Sequence, residues 1–245
     1  ILFLTTGLGL GGAERVVLDI CKNINMNKFK VSVIGISSQN DLLNEFYKNQ
    51  IHVDVLNYRK TFTKFFNSLI DILNHIKNHQ IQVVHAHMFH TLIIGFLVKI
   101  LNRNIKLIFT PHNSFKFMKI RRLILWLLKP FRDFDTIFSQ KSSRYFYKSS
   151  AVVIPNGVDI NLYHNRSVQK KSSPFVFIIV GRLEKMKNHK FLIDLVNELN
   201  DYDFKLKIVG TGILEKPLKS YVSELNLNGK IEFLGARTDV PKLLS

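Results

Sequence analysis

Short apolar runs that predict β-strands alternate along the chain with longer stretches whose apolar residues recur at helical spacing. The first run, ILFLT at 1–5, is followed by a helical pattern at 13–24. Further strands are predicted at 31–36, 52–58, 83–87, 106–110, 135–140, 151–155, 175–181, 205–210 and 230–235. Further helices are predicted at 62–79, 90–101, 116–129, 188–200, 213–226 and from Asp239 onward. This alternation predicts parallel sheets with helices on both faces, and therefore an α/β fold.

A polar, serine-rich stretch at 161–174 interrupts the alternation and predicts a linker. We therefore expect a first domain over 1–160 and a second over 175–245. Doubly wound domains usually contain five or six strands, whereas the second segment offers only three. Because the sequence also begins at Ile1 rather than at a methionine, we expect a fragment whose second domain is incomplete.

Cysteine content and charge limit the cellular compartments and the binding partners that are compatible with the sequence. The single cysteine, Cys21, excludes a disulfide framework and is typical of a reducing cytoplasm. No apolar run reaches the length of a membrane span, and no signal peptide is visible. Residues 1–150 carry 21 Lys and Arg against 8 Asp and Glu, an excess that predicts an anionic partner. A lysine-rich compositional bias is the alternative explanation for part of this excess.

The glycine-rich stretch GLGLGG, from Gly7 to Gly12, lies between a predicted strand and a predicted helix. Small residues at a helix N-terminus let the backbone approach a phosphate. The spacing fits a dinucleotide-binding loop, but that interpretation needs an acidic residue at the end of the second strand. The sequence there is GISSQN, and the first acidic residue is Asp41. NAD binding is therefore disfavoured, and a turn that merely packs strand on helix is a further alternative.

Histidines cluster at the ends of two predicted strands. His85 and His87 lie on one face of a strand, His90 follows, and His112 ends the strand after it. Metal binding is one interpretation, which the lack of neighbouring carboxylates or cysteines disfavours. A buried histidine with satisfied hydrogen bonds is another. The chemical interpretation is that His87 orients a hydroxyl or stabilises charge near the glycine loop.

The sharpest local feature is VGRLEKMKN, where a predicted strand ends at Gly181. Arg182 follows the strand, and Lys187 comes five residues later, just before a predicted helix. Two fixed cations beside a helix N-terminus predict a clamp for a diphosphate, which can replace a metal ion in stabilising a leaving group. Ordinary surface charge is the alternative, and it is our interpretation of Lys185 and Lys190.

Together these features resemble glycosyltransferase family 4, a family with the GT-B fold. The motifs that carry the resemblance are GLGGAE (9–14), VVHAH (83–87), TPHN (110–113), IPNGVD (154–159), VGRLEKMKN (180–188), IVGTG (208–212) and IEFLG (231–235). Each motif alone is short, and their common order over nearly the whole chain makes the resemblance specific.

The resemblance implies two Rossmann-like, doubly wound domains that face each other across a cleft. The first would bind the acceptor and the second a nucleotide sugar linked to UDP or GDP. Transfer would retain the anomeric configuration without a metal ion or another cofactor. His87 would contact the transferred sugar, with His112 and Asn113 on the acceptor side. The implied contacts to the sugar donor are Gly11, Gly12, Arg182, Lys187, Gly210, Gly212, Phe233 and Leu234.

One expected motif is missing from the sequence. The acidic E-x7-E motif of the family would follow Leu244, and the chain ends at Ser245. A transferase that acts on a glycan or lipid-linked acceptor in surface polysaccharide biosynthesis is the first hypothesis. A non-catalytic remnant or binding module is the second, and an NAD-dependent oxidoreductase is the third.

The segment 115–134 mixes six Lys and Arg with Trp126 and many aliphatic residues. If helical, it could lie on an anionic membrane surface, so we expect a cytoplasmic protein that contacts the inner face of the cytoplasmic membrane peripherally. Packing of its apolar side on the sheet is the alternative, and both can hold in part. Nucleic acid is not expected as a partner, because no recognised nucleic-acid motif occurs.

Overall fold

The computed structural model describes residues 1–57, 62–112, 119–139, 147–148, 150–161, 163 and 174–244, with only the backbone of 62–64. The chain divides into two compact units, Ile1–Gly157 and Val158–Ser245. The predicted linker 161–174 lies mostly outside the described residues. In the described part of the chain, no helix combines the length and the apolar character that a bilayer crossing requires.

The first unit is a parallel sheet of seven strands in the order β3-β2-β1-β4-β5-β6-β7. Its strands are β1 (Leu2–Thr5), β2 (Ser32–Gly35), β3 (His52–Val55), β4 (Val83–His87), β5 (Lys106–Thr110), β6 (Phe134–Ile137) and β7 (Val152–Val153). Its helices are α1 (Gly12–Asn23), α2 (Leu43–Lys48), α3 (Phe62–Asn78), α4 (Phe89–Leu101) and α5 (Lys119–Leu127). The predicted α/β class is confirmed.

Helices cover both faces of this sheet, because its central strands are apolar on both sides. Leu2 and Leu4 belong to a core that includes residues of α3 and α4. Phe3, on the opposite face of β1, packs in a second core with Val17 and Leu18 of α1. Two separate cores on one sheet are the expected arrangement of a doubly wound fold.

Local chemistry explains where the elements depart from the predicted bounds. β3 ends at Val55, three residues before the predicted end, and Asn57 nearby takes a left-handed φ of 51°. α5 ends at Leu127, and Pro130 follows in a 3₁₀ turn, where a proline cannot continue a helix. Helix α2 was not predicted, because six residues are too few to show a helical period.

The second unit contains a parallel sheet of three strands in the order β10-β9-β8. Its strands are β8 (Phe175–Val180), β9 (Phe204–Val209) and β10 (Ile231–Gly235), and its helices are α6 (His189–Glu198), α7 (Glu215–Glu224) and α8 (Val240–Leu243). One apolar core joins β9 and β10 to α6 and α7. β8 lies at the end of this order, and most of its residues are exposed.

Candidate active site

The candidate site of the first unit lies between β1 and β4, where the chain stops adding strands on one side of β1 and begins adding them on the other. β1 is flanked by β2 on one side and by β4 on the other, so the connections leaving β1 and β4 diverge. In an open parallel sheet this divergence leaves a crevice at the carboxyl ends of the strands, the usual place for a ligand. The glycine loop follows β1, and His87 is the last residue of β4, so both border this crevice.

Packing explains two of the four loop glycines. A Cβ atom at Gly7 would lie 2.5 Å from Ser37 Oγ, and one at Gly9 would lie 3.3 Å from Gln39 Oε1. The Leu8 N–H also donates a hydrogen bond of 2.8 Å to the carbonyl oxygen of Gln39. The segment that a dinucleotide-binding fold uses to hold a ribose therefore packs here on the glycine loop. This contact leaves the NAD interpretation without structural support.

Gly11 and Gly12 stand apart from that packing, at the beginning of α1. A Cβ atom at Gly12 would meet open space among the described residues, and no side chain caps the helix. The first N–H groups of a helix have no intrahelical acceptor, so this end of α1 can receive an anion. The Glu14 carboxylate lies against Gly11, and a Cβ atom there would require this flexible side chain to move. The phosphate contact of both glycines stays a prediction.

Three buried polar atoms around the crevice lack a hydrogen-bond partner in the described part of the chain: Thr6 Oγ1, Ser37 Oγ and His87 Nε2. They belong to the carboxyl ends of three adjacent strands, β1, β2 and β4. An unsatisfied buried polar group costs about 1–3 kcal/mol, so such a cluster indicates groups that meet a ligand. Thr6 and Ser37 were not predicted as site residues, because their only signal in the sequence is their position just after a strand.

Neighbouring side chains fix the orientation of His87. Its Nδ1 lies 2.8 Å from His112 Nε2, and its ring centroid lies 4.1 Å from that of His85. The hydroxyl of Thr91, on the first turn of α4, donates a 2.6 Å hydrogen bond to the His87 carbonyl oxygen. The parallel register places His87 opposite Thr110, which brings His112 within reach. Nε2 of His87 is therefore left for a ligand.

Burial keeps this histidine cluster uncharged. It lowers the pKa of His85 to about 3, with a contribution from His112, and the pKa of His112 to about 4. The pKa of His87 lies well below its ordinary value because of burial first and then because of His85 and His112. A neutral His87 can hydrogen-bond a hydroxyl but cannot neutralise a phosphate.

The backbone after His87 is strained. Met88 precedes α4 with a φ of 80°, in a region that costs a non-glycine residue on the order of 1–3 kcal/mol. Its N–H donates to the Thr110 carbonyl oxygen at 3.1 Å, and its carbonyl oxygen lies 2.8 Å from the Thr91 hydroxyl, whose one proton is shared between the Met88 and His87 carbonyl oxygens. These bonds hold the strained turn and fix the point at which His87 leaves the sheet.

The second unit presents two cations at the carboxyl end of β8. Arg182 is exposed, and its Nη1 lies 2.9 Å from Glu184 Oε1. Lys187 ends a 3₁₀ turn, and its aliphatic stem lies 3.7 Å from where a Cβ atom at Gly181 would be. The packed stem and the turn fix the position from which the Lys187 side chain leaves the backbone. Helix α6 begins two residues later. The predicted pair of cations is thus held at one edge of one sheet.

Backbone packing explains why positions Gly210 and Gly212 are glycines, which the sequence did not reveal. Gly210 has a φ of 134°, and a Cβ atom there would collide with the Gly181 carbonyl oxygen. A Cβ atom at Gly212 would lie 2.5 Å from the Leu183 carbonyl oxygen. The Leu183 N–H donates to the Thr211 carbonyl oxygen at 2.9 Å. The loop after β9 therefore lies directly on the loop after β8, and the nucleotide contact of both glycines stays a prediction.

The other predicted site residues fall in several places. Phe233 and Leu234 are half-buried in β10, and Phe233 packs on the core of the second unit. Asn113 lies outside the described residues. His90, which the sequence placed with the other histidines, is exposed on α4.

His189, the first residue of α6, is a polar residue that the sequence analysis missed. It is buried, and both of its ring nitrogens lack a partner among the residues that the structure describes. Burial, and then Lys187, lowers its pKa, so the ring is neutral at neutral pH. No side chain caps α6, so its first N–H groups are also available at this edge. The signal in the sequence was a histidine directly after KMKN.

Two Rossmann-like α/β units, each with polar groups at the carboxyl ends of its parallel strands, are features of the GT-B class of glycosyltransferases. The chain belongs to glycosyltransferase family 4, whose model matches residues 10–162. The model described as glycosyl transferases group 1 matches residues 163–245. The resemblance inferred from the motifs is thereby confirmed, and the chain is a glycosyltransferase rather than an oxidoreductase.

Relatives of known activity are similar over most of the chain. It is 24% identical, over 96% of its length and 68% of the relative, to the UDP-Gal:alpha-D-GlcNAc-diphosphoundecaprenol alpha-1,3-galactosyltransferase of Escherichia coli. It is 25% identical, over 92% of its length and 66% of the relative, to the capsular polysaccharide biosynthesis glycosyltransferase CapH of Staphylococcus aureus. The chain thus spans about two thirds of the length of these relatives.

A solved structure shows the same fold. HepE of Anabaena, in complex with UDP-glucose, superimposes with a TM-score of 0.81 at 23% identity. The match covers 99% of this chain and 70% of that protein.

Proposed function

We propose that the protein transfers a hexose from a UDP-linked sugar to a lipid-linked glycan, with retention of configuration, during surface polysaccharide assembly. A relative that uses UDP-Gal and a diphosphoundecaprenol-linked acceptor supports this donor and acceptor. A capsular polysaccharide relative and the UDP-glucose complex of HepE support the pathway class and the nucleotide. In this proposal the first unit binds the acceptor and the second binds the donor.

The observation that carries the proposal is the cation pair at the exit of β8. Arg182 and Lys187 are set at one sheet edge by the Gly181 turn, and α6 begins beside them. A sugar leaves a nucleotide sugar as its diphosphate departs with additional negative charge. Two cations and the first N–H groups of α6 would stabilise that charge as it develops. When no donor is bound, the Glu184 carboxylate forms an ion pair with the Arg182 guanidinium.

His87 would act on the sugar rather than on the phosphate. Its pKa lies well below the ordinary value, so it is neutral at neutral pH. Its Nδ1 is engaged with His112, and its Nε2 has no partner in the described part of the chain. Nε2 would therefore hydrogen-bond a hydroxyl of the transferred hexose and fix its orientation. Gly11 and Gly12 would contribute backbone N–H groups to the phosphate.

The proposed transfer needs no cofactor to account for the bonds broken, the bonds formed and the proton. The bond between the anomeric carbon and the phosphate oxygen breaks, and its electron pair leaves with the diphosphate. The acceptor hydroxyl oxygen bonds to the anomeric carbon, and its proton passes to the leaving phosphate oxygen. UDP-galactose carries an α-linked sugar, so the alpha-1,3 linkage that names the relative supports retention.

Calorimetric titration with UDP tests the cation pair. The double variant Arg182→Ala with Lys187→Ala should weaken UDP binding by more than about 100-fold, since each charge-assisted hydrogen bond is worth about 1.5–3 kcal/mol. Lys185→Ala removes the same charge from the same turn and is the matched control, for which we expect nearly unchanged affinity. A parallel titration with GDP distinguishes the two nucleotides.

Each result of these titrations either supports or contradicts the donor site or its choice of nucleotide. UDP affinity that falls in the double variant and persists in Lys185→Ala supports the donor site. Equal affinities in all three proteins would overturn it. Tight binding of GDP in place of UDP would overturn the nucleotide but not the site. Sugar transfer to a diphosphoundecaprenol-linked acceptor, lost in His87→Ala while UDP still binds, would support the role of His87.

We further propose that α5 contacts the inner face of the cytoplasmic membrane. Its apolar residues Ile120, Leu123 and Trp126 are exposed by 56% to 76%, so the helix presents apolar side chains to solvent. The +17 formal charge of the chain favours an anionic surface. A shallow cavity of about 630 Å³ adjoins the helix and is lined by Trp126, Leu127, Lys129, Pro130, Lys148 and Ser150.

Vesicle sedimentation tests this contact. Vesicles with phosphatidylglycerol should bind the protein more strongly than phosphatidylcholine vesicles, and 1 M salt should weaken the binding. Leu123→Ser with Trp126→Ser should reduce sedimentation several-fold, whereas Met186→Ser, an exposed apolar residue of the second unit, should not. Equal sedimentation of both variants would contradict a contact through α5.

A further inference from the structure

A second group of histidines lies at the opposite edge of the first sheet from the candidate active site. One ring nitrogen from each of His52, His75 and His79 lies within 4.8 Å of those of the other two. His52 is the first residue of β3, and His75 lies in the last turn of α3, with His79 just beyond it. The group therefore sits at the amino ends of the strands, where neither the sugar donor nor the acceptor is proposed to bind.

The three rings are packed together rather than merely neighbouring. His75 stacks on His79 with 4.3 Å between ring centroids, and His52 lies 5.1 Å from His79 and 5.4 Å from His75. His75 and His79 are four residues apart, which places them on one face of a helix. His75 is buried, while His52 and His79 are exposed and so are open to an ion from solution.

Polar neighbours orient the buried ring. His75 Nε2 lies 2.9 Å from the hydroxyl of Ser32, and His75 Nδ1 lies 3.3 Å from Asp54 Oδ2. The parallel register places Ser32 beside His52, so the ring of His75 lies over both strands. Each ring nitrogen of His75 thus has a polar neighbour, and a cation bound at Nδ1 would replace the contact to Asp54, whose carboxylate would then face the cation.

The geometry points to a binding site for a divalent zinc-like cation on His52, His75 and His79, with Asp54 beside it. Three imidazoles with an open fourth position are a known ligand set for zinc. In a tetrahedral zinc site the ligand atoms lie about 3.3–3.4 Å apart, given zinc–nitrogen bonds of 2.0–2.1 Å. The two exposed side chains can close the present gap by small rotations of their χ angles.

Electrostatics at this place favour the cation. The Asp54 carboxylate lies 3.3 Å from His75 Nδ1 and places a negative charge beside the three rings. The cation would also lie near the C-terminal end of α3, where the helix dipole favours positive charge. Bound there, it would join the end of α3 to the start of β3 and stabilise the first unit.

Titration with zinc chloride tests the site on EDTA-treated protein from which any histidine tag has been removed. The natural chain should bind one zinc ion, and its thermal midpoint should rise. His79→Gln and His52→Gln should each weaken zinc binding by more than the roughly 10–100-fold that outer-shell changes cost. His90→Gln removes an exposed histidine from α4, outside the group, and should bind zinc like the natural chain.

Each outcome decides the proposal. One zinc ion bound by the natural chain and by His90→Gln, and lost in His52→Gln and His79→Gln, supports it. No zinc binding by the natural chain would overturn it. Zinc bound equally well by His79→Gln would also overturn it, because the ion would then lie elsewhere, such as on His85, His87 and His112. Unchanged circular dichroism of both exposed variants would show that lost binding is not lost folding.

Discussion

The first strands of the two units occupy different places in their sheets. β1 lies between β2 and β4, and all of its residues are buried. β8 pairs with β9 on one side, and its residues Phe175, Val176 and Phe177 are exposed by 42% to 59%. A central strand with a core on each face contributes much of the stability of its unit. Within the described residues β8 has a neighbouring strand on one side only, so the described part of the second unit depends more on β9, β10 and the tight loops around them.

The two units also differ in how their candidate sites are set. In the first unit, uncharged histidines are buried and fixed by one another at the carboxyl end of β4. In the second, exposed cations are set by a glycine turn and held by an acidic neighbour. Buried neutral groups position hydroxyls, whereas exposed cations attract anions, so the contrast matches the separate roles that we propose.

The largest expected effect contrasts β1 with β8. Leu4→Ala removes a fully buried side chain and should destabilise the first unit by about 2–5 kcal/mol. Val176→Ala truncates a half-exposed side chain and should cost less than about 1 kcal/mol. Urea denaturation followed by fluorescence of Trp126, the sole tryptophan, reports the first unit, and hydrogen exchange reports both. Equal losses for the two variants would break the contrast.

The tight loops of the second unit should give the next largest effect. Gly210→Ala forces a side chain into a φ of 134° and onto the Gly181 carbonyl oxygen, and the backbone conformation alone should cost about 1–3 kcal/mol. Gly229→Ala is the control, because a Cβ atom there meets open space among the described residues. Hydrogen exchange in β8 and β9 should rise in Gly210→Ala only. Unchanged hydrogen-exchange protection of β8 and β9 would show that these loops do not stabilise the two strands.

Lowering the pH should destabilise the first unit gradually. His85 and His112 have folded pKa values of about 3 and about 4, below the ordinary 6.5, so the unfolded chain binds protons first. Their contribution to the stability of the first unit is fully present above pH 6.5 and is lost as the pH falls through about 4 for His112 and about 3 for His85. Trp126 fluorescence during urea denaturation at several pH values measures this loss. His112→Gln should flatten the dependence, and an unchanged slope would contradict the assignment.

The smallest expected effect concerns the acidic neighbour of Arg182. Glu184→Gln frees the guanidinium from its 2.9 Å ion pair and should tighten UDP binding by up to about fivefold, since exposed ion pairs contribute at most about 1 kcal/mol. Calorimetry with UDP measures the change, and Glu198→Gln, in the last turn of α6, is the control. Weaker binding in Glu184→Gln would show that the carboxylate positions Arg182 rather than competing for it.

Sequence periodicity predicted the ten strands found among the described residues, because apolar runs separated by helical patterns are a strong signal. It could not give the order of the strands, since that order depends on long-range pairing. The position of His87 at a strand end was predictable. Its hydrogen bond to His112 was not, because it depends on the register of β4 on β5.

The unpredicted parts of the candidate sites depend on burial. Thr6, Ser37 and His189 are ordinary polar residues in the sequence, and only the folded chain leaves their side-chain atoms buried without partners among the described residues. Gly210 and Gly212 show the opposite case. Their motif suggested a ligand, and the structure adds a reason in backbone packing that spacing alone does not reveal.

The membrane contact that we propose for α5 would have a consequence for kinetics. A protein that rests on a bilayer searches for a lipid-linked acceptor in two dimensions, which raises the effective concentration of that acceptor without any new contact at the active site. The rate would then depend on the mole fraction of acceptor in the leaflet rather than on its bulk concentration. Dilution of the acceptor with inert lipid would slow transfer even when its total amount in the sample stays constant.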